Sequence, residues 1–600
     1  MHLEVAMRGI RSIRGNCLIL GLALLVPLGP ATAIEPDAPE QLITAEEGVG
    51  IQARRLLVDR KGPASEAEKA DVEALVSFYA GRTSKPLWIS ADKLNLKAKA
   101  AAQEIARADD WGLDPKAFNL KQTEIPDGAP SGDLAQAEIA LSLAVLKYAS
   151  HARGGRIPDP AQQLSSYLDR KPPLKAPGAV MSEIAEADEA DAYLRGLHPQ
   201  HAQFKALRNA LLKLRDPGVD SEGEKIVRLP SPGPLLSLGK SHPDVVLLRQ
   251  RLKVEPKPDE EGGEVVLEVF DQAVLEAVKE FQRGEGLSVD GVVGNNTRST
   301  LNGDSAEVSE DMIIANMEQW RWMPEDMGEF YVNSNVPEYK VRVVRDGQIV
   351  HEERIITGEL DKQTPVFSDK METVVFHPFW GVPNSIKVNE LLPSIARGGN
   401  ALDRHNLKLQ YKGRTVDPNA IDWSTADIRN FHVYQPPGGG NVLGEVKFLF
   451  PNKHQVYMHD TPTKHLFSKT QRTFSHGFMR VRDPLKLAAT VLNYDKGWDL
   501  ERVKQTVDSG PENNNVTLDT SVPVHVTYFT AVADEDGKVT AFPDIYGHED
   551  RIKLALAGRW NEINKGRDHL APVRIDRSKI IVKQQYDNPI SDLFKQAFGF

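Results

Sequence analysis

The stretch "YMHDTPTKHLFSKTQRTFSHGFMRV", Tyr457 to Val481, decides how the C-terminal half of this chain is read. The stretch holds three histidines, a Ser-His-Gly turn and a nearby arginine, Arg480. Ser475-His476-Gly477 forms a tight turn, because glycine is the residue that tolerates a reversed backbone. Fifteen residues separate His459 from Ser475.

The flanking sequence is strand-like. "FYVNSNVPEYKVRVVRDGQIVHEERIITG" (330–358) alternates apolar and polar residues around Arg345-Asp346-Gly347, a hairpin signal. "KFLFPNKHQVYMHD" (447–460) reads as two strands with a turn at Pro451-Asn452. "SVPVHVTYFTAVADEDGKVTAF" (521–542) reads as another hairpin around Asp536-Gly537. A small β-sandwich or barrel-like domain with inserted helices follows.

The N-terminal half is helical. From 66 to 215 apolar residues recur at three and four, most clearly in "AQAEIALSLAVLKYASHA" (135–152), which "GGRIPDP" (154–160) ends. "KPLWIS" (85–90) is expected to pack against that layer. A proline-rich stretch, 214–234, reads as a linker. Beyond it, "LSLGKSHPDVVLLRQRL" (236–252) and "FDQAVLEAVKEFQRGEGLSVDGVVGNNTRSTL" (270–301) predict three small helices with tight glycine turns.

At 600 residues the chain exceeds one core, so several domains are expected, and 40% hydrophobic with 26% charged residues is an ordinary globular mix. A formal net charge of −11 with no long basic run excludes nucleic acid as a partner. Arg8, Arg11 and Arg14, the apolar run "CLILGLALLVPLG" (17–29) and "ATA" (31–33) read as an export signal, residues 1–33, cleaved after Ala33, which predicts a periplasmic protein. The run is too short to span a membrane, and no second one is found. The single cysteine, Cys17, lies within that signal. The mature chain is thus expected to hold no disulfide and no thiol nucleophile. His432, His454, His459, His465 and His476 lack the spacing of a zinc helix, so no metal and no cofactor is expected.

Residues 232–303 resemble the peptidoglycan-binding module of bacterial wall enzymes, through Leu238, Gly239, Asp244, Val245, Leu248, Phe270, Asp271, Phe281, Gln282, Asp290, Gly291, Gly294 and Thr297. Residues 310–500 resemble the catalytic domain of the L,D-transpeptidases, in their large periplasmic branch. The resemblance runs through "RWMP" (321–324), "GELDKQTPVFSDKMETVVFHPFWGVPNSI" (358–386), "VDPNAIDW" (416–423), "QPPGGGNVLGEVKFLFPN" (435–452), "YMHDTPTKHLF" (457–467) and "SHGFMRV" (475–481). The region 66–215 is similar to the scaffold domain of that branch, through "YAGRTSKPLWIS" and "WGLDP". The implied fold is multidomain α+β: helical scaffold, three-helix module, β-rich catalytic domain, and a 501–600 extension packed on it.

The resemblance implies peptidoglycan cross-linking by acyl transfer, with stem peptides and glycan as partners and wall-synthesis proteins as further ones. It puts His459 at the base position, with Asp460 or a nearby carbonyl to orient it, and His476 and Gly477 in an oxyanion turn. It puts Asn441, Ser475 and Arg480 at the substrate, although Arg480 pairs equally well within the fold. The family's cysteine position falls on Phe478, which has no nucleophilic atom, and the arginine usual before Gln-Pro-Pro is Tyr434. A catalytically silent homologue that binds the wall is the leading expectation. An active L,D-transpeptidase, or an unrelated exported binding protein sharing the β-fold, stands beside it.

Overall fold

The computed structural model describes residues 45–60, 65–82, 85–126, 128–215, 227–230, 233–256, 266–284, 287, 289–302, 308–534 and 537–581. The expected export signal, Asp536 of the expected hairpin, Gly286 of the module and most of the 214–234 linker lie outside them. Among the described residues no helix is long and apolar enough to cross a membrane.

The helical region comprises α1 (Ala45–Val58), α2 (Glu66–Gly81), α3 (Leu96–Ala106), α4 (Ser131–Ala152), α5 (Pro177–Glu186), α6 (Ala190–Gly196) and α7 (Ala202–Arg215). Helix α4 is buried along most of its length, as its apolar run predicts. Trp88 is fully buried against it. Glu138 on α4 holds that segment, because its carboxylate accepts the Leu87 and Trp88 amides at 2.5 and 2.9 Å and the Tyr79 hydroxyl at 2.7 Å. Burial pushes the Glu138 carboxyl up, and these donors oppose it.

The module consists of α8 (Asp244–Leu252), α9 (Gln272–Gly284) and α10 (Asn295–Leu301). Its polar centre is Arg298, fully buried, which donates to the Asp244 carboxylate at 2.6 Å and to the Pro230 and Pro234 carbonyls. Gly291 has φ +70°, and a Cβ there would meet the Leu275 side chain at 2.3 Å, so the turn needs glycine.

After α11 (Glu310–Arg321) come β1 (Phe330–Asn335), β2 (Lys340–Arg345), β3 (Gln348–Gly358), β4 (Phe367–Phe376), β5 (Trp380–Gly381), β6 (Lys408–Tyr411), β7 (Arg414–Thr415), β8 (His432–Gln435), β9 (Val446–Leu449), β10 (Met458–His459), β11 (Thr473–Ser475) and β12 (Met479–Val481). Helices α12 (Pro484–Lys496) and α13 (Leu500–Ser509) lead to β13 (Asn514–Thr527). Nine strands form one sheet in the order β11-β3-β12-β10-β9-β4-β13-β1-β2, and the β2–β3 hairpin closes it on itself. The barrel reading of the alternation therefore holds, with a closed ring that leaves few free edges. Its interior is apolar, including Val332, Val341, Ile355, Val374, Phe448, Met458, Met479 and Val524.

Two features differ from the expectation. Strand β13 lies between β4 and β1, so a boundary at 500 cuts through the barrel. Residues 380–435 form a separate small body: a second sheet, β5-β8-β6-β7, around its own core of Trp380, Ile386, Leu392, Leu409, Trp423 and Val433. The C-terminal Ile580 is buried in that core as well. The helical region packs directly on the barrel: Arg170 donates to Ser368 and to the Val526 carbonyl at 2.5 Å each, and the Val366 amide donates to the Tyr167 carbonyl at 2.7 Å.

Candidate functional site

The site is built by one pairing. Strands β10 and β12 run parallel with Met458 opposite Met479 and His459 opposite Arg480. The residues just before the two methionines are Tyr457 and Phe478, so the register sets those rings side by side. They stack with centroids 4.4 Å apart and planes at 29°. The His459 ring stands edge-on to Phe478, with centroids 6.3 Å apart.

His459 is buried, and its Nδ1 hydrogen-bonds the Asp460 backbone oxygen. A carbonyl only accepts, so the proton sits on Nδ1 and Nε2 keeps its lone pair. The orienting group is thus the carbonyl, one of the options left open by the sequence. The Asp460 carboxylate turns away, ion-pairing Lys464 and accepting the Glu445 amide at 3.0 Å. Burial, reinforced by the Arg480 charge, holds the His459 imidazolium down to about 3, so the ring is neutral at pH 7.

The turn is tightly specified. Ser475 Oγ donates to the Phe478 carbonyl at 2.5 Å and accepts the Gly477 amide at 3.2 Å. Gly477 has φ +99°, and a Cβ there would press on the Gln363 carbonyl at 3.2 Å. The expected oxyanion donor Gly477 N–H is therefore spent inside the turn. His476 reaches out of it, with Nε2 2.8 Å from Glu390 Oε1 of the 380–435 body and 3.0 Å from Lys362 Nζ.

The three side chains expected at the substrate all have internal partners. Arg480 is buried and donates to Thr463 Oγ1 at 3.0 Å and the Phe474 carbonyl at 3.1 Å. Asn441 donates to the Pro378 and Pro436 carbonyls and accepts the Leu443 amide, which shapes the loop beside the cleft. Ser475 is used as described. Tyr434 stands edge-on to Phe379, with centroids 5.7 Å apart.

Phe478 and His476 line two spaces. On the His459 side lies a cavity of about 20 Å³, walled by Trp380, Ile386, Leu443, His459 and Arg480. On the other side opens a cleft of about 950 Å³. Its lining includes Tyr167 of the helical region, Lys447 and Tyr457 of the barrel, Glu390 and Arg429 of the 380–435 body, and residues 569–573. Trp380 hydrogen-bonds the Tyr457 hydroxyl and so fixes the cleft floor. Among the described residues no group of three or more His, Asp, Glu or Cys could hold a metal ion.

Sequence reasoning missed a cluster at the rim of the cleft. Ser166 Oγ lies 2.9 Å from His569 Nδ1, His569 Nε2 lies 2.8 Å from His454 Nδ1, and His454 Nε2 lies 3.0 Å from Asp169 Oδ2. Its members come from three distant parts of the chain, and no local signal links them.

With that geometry in view, three regions match known domain families: residues 73–211 a scaffold domain, 241–301 a putative peptidoglycan binding domain, and 329–524 the L,D-transpeptidase catalytic domain. The three matches fall on the helical region, the three-helix module and the barrel in turn. Over its barrel the chain is thus similar to L,D-transpeptidase catalytic domains. It is similar to a "Putative L,D-transpeptidase" of Haemophilus influenzae (strain ATCC 51907 / DSM 11121 / KW20 / Rd), 33% identical over 254 residues, 42% of this chain and 51% of the relative. The chain thus spans about half the length of that curated relative. A solved L,D-transpeptidase (residues 123–326) from Xylanimonas cellulosilytica DSM 15894 aligns at 14% identity over 50% of this chain and 99% of that one, with a TM-score of 0.16.

Proposed function

We propose that this protein is a periplasmic L,D-transpeptidase homologue that holds peptidoglycan stem peptides without forming an acyl-enzyme, and so serves wall organisation by binding. One observation carries the reading. At the turn where the family resemblance calls for a cysteine stands Phe478, whose ring separates the His459 base from the cleft. Acyl transfer by this route needs a nucleophile within reach of that base, and a phenyl ring is none. Cys17 is the chain's only cysteine and lies in the segment read as the export signal.

What survives is the binding apparatus: the open cleft, its aromatic floor and the peptidoglycan-binding module at 241–301. The periplasmic address rests on the basic and apolar pattern of residues 1–33. Partners in this reading are stem peptides, glycan and wall-synthesis proteins.

The test is incubation with a carbapenem followed by intact mass. No adduct is expected. An adduct would restore the alternative, an active L,D-transpeptidase with another nucleophile. In parallel, deleting the module from the full chain should weaken its sedimentation with insoluble peptidoglycan. Equal sedimentation would make the module a spacer.

A further inference from the structure

Lys447 lies on β9 directly opposite His459 of β10. Its Nζ stands 4.1 Å from the centroid of the Tyr457 ring, at the floor of the 950 Å³ cleft. The other cations around that cleft are engaged. Lys362 pairs with Glu359 and Lys453 with Asp169, while Arg429 pairs with Asp427. Lys387 donates to the Arg429 and Phe431 carbonyls, and Arg567 to the Tyr167 hydroxyl. Lys447 has no carboxylate and no hydrogen-bond acceptor among the described residues.

An ammonium needs three acceptors. Here a ring face compensates part of the charge, which is worth about 0.5–2 kcal/mol depending on desolvation. The missing partner is an anion, and a carboxylate fits a cleft with peptide dimensions. The protein as a whole is acidic, at −11, so a cation retained without an acid at this place is a local feature.

We propose that Lys447 is the cleft's anchoring cation: it pairs with a free carboxylate of a stem peptide lying over Phe478 and selects ligands that carry that charge. The inference rests on the reading of the cleft as a stem-peptide site. Lys447 is thereby a positioning and specificity residue that acts without any covalent step.

The environment gives the proposal a pH signature. Burial pulls the Lys447 ammonium down to about 8. The titratable groups that face it or share its cleft are Tyr457 just ahead of β10, His459 of β10, and His476, Glu390 and Lys362 of the cleft lining. Tyr457 is pushed above its ordinary value and His459 is held far below neutrality, so neither changes charge between pH 7 and 9. Affinity for a carboxylate ligand should therefore fall as pH rises through about 8, where the ammonium is lost.

The experiment is calorimetric titration of the full chain with a synthetic stem tetrapeptide, as the free acid and with its carboxylates amidated one at a time. Wild type should bind the free acid about tenfold more tightly than one of the amidated forms, the scale of a charge-assisted hydrogen bond. Lys447→Met should erase that preference. Lys447→Arg should restore it and keep it flat to pH 9, because guanidinium stays charged. A Met variant that still discriminates, or a wild-type preference unchanged between pH 7 and 9, overturns the proposal and leaves the binding reading standing. Absence of any wild-type binding to the free acid overturns both. Should Lys447→Met misfold, the wild-type pH profile and the Arg variant decide alone.

Discussion

The two sides of the Phe478 ring differ sharply. On the His459 side about 20 Å³ is open, enough for one water. On the Tyr457 side about 950 Å³ is open, enough for a peptide. The closed side keeps the orientation of a base: a neutral imidazole, its tautomer set by the Asp460 carbonyl. The open side keeps binding surface. On the reading proposed above, the difference teaches that one side chain can separate chemistry from recognition while both sides of it stay folded.

The most drastic way to break that separation is to remove the wall. Phe478→Cys should take carbapenem labelling from undetectable to near stoichiometric, because it supplies a thiolate and joins the small cavity to the cleft. Adding His459→Ala should cut the labelling rate at least 100-fold, the scale of a lost general base. Phe478 is only half-buried, so the Cys variant should lose about 2–3 kcal/mol, less than the 3–5 kcal/mol of a fully buried ring. Intact mass and urea unfolding read both effects. A folded Phe478→Cys protein that stays unlabelled would show that the closed side has lost more than one atom, as the Gly477 amide bound to Ser475 already suggests for the oxyanion site.

The closed side also makes a pH prediction. His459 titrates near 3 when folded and near its ordinary value of about 6.5 when unfolded. The unfolded chain therefore binds the proton first, and stability falls as pH drops from about 6.5 toward 3. At about 1.4 kcal/mol per unit, His459 alone removes about 2 kcal/mol between pH 6.5 and 5. Other buried histidines, such as His198 and His548, add their own slopes. The measurement is thus a difference: His459→Gln should lose about 2 kcal/mol less than wild type over that interval in urea unfolding. Equal slopes would mean that the His459 cavity admits solvent freely.

How much of this was legible in the sequence follows from distance along the chain. The His459-to-Ser475 spacing and the glycine turn gave the frame of the site, because β10, the turn and β12 lie within one short stretch. Alternation gave the barrel strands, and the Asp346-Gly347 pair gave the hairpin that closes the ring. The 380–435 body was not legible, since its core gathers short pieces and Ile580 from the far C-terminal end. Nor was the place of β13, whose partners β4 and β1 lie more than a hundred residues earlier. The resemblance put Asn441, Ser475 and Arg480 at the substrate, and what it could not show is that their polar atoms also hold loop and turn together. Lys447 looked like one lysine of a strand until its neighbours were placed.

The smallest expected effect lies on the open side, at the cleft rim. Ser166, His569, His454 and Asp169 form one hydrogen-bond chain, and its polarity is fixed from the carboxylate end. Asp169 only accepts, so His454 carries its proton on Nε2 and accepts at Nδ1. His569 then donates from Nε2 and accepts the Ser166 hydroxyl proton at Nδ1. The chain ties residues 567–573 to the helical region and the barrel, while Arg577 ties the next residues to the carbonyls of 423–426. Asp169→Asn removes the anion that sets this polarity and also unpairs Lys453. One such local change is worth about 1 kcal/mol. Amide exchange in 566–573 should then quicken about fivefold, with exchange around His459 unchanged. Exchange that quickens on both sides of Phe478 would show that rim and base move as one unit, and the separation drawn above would fail.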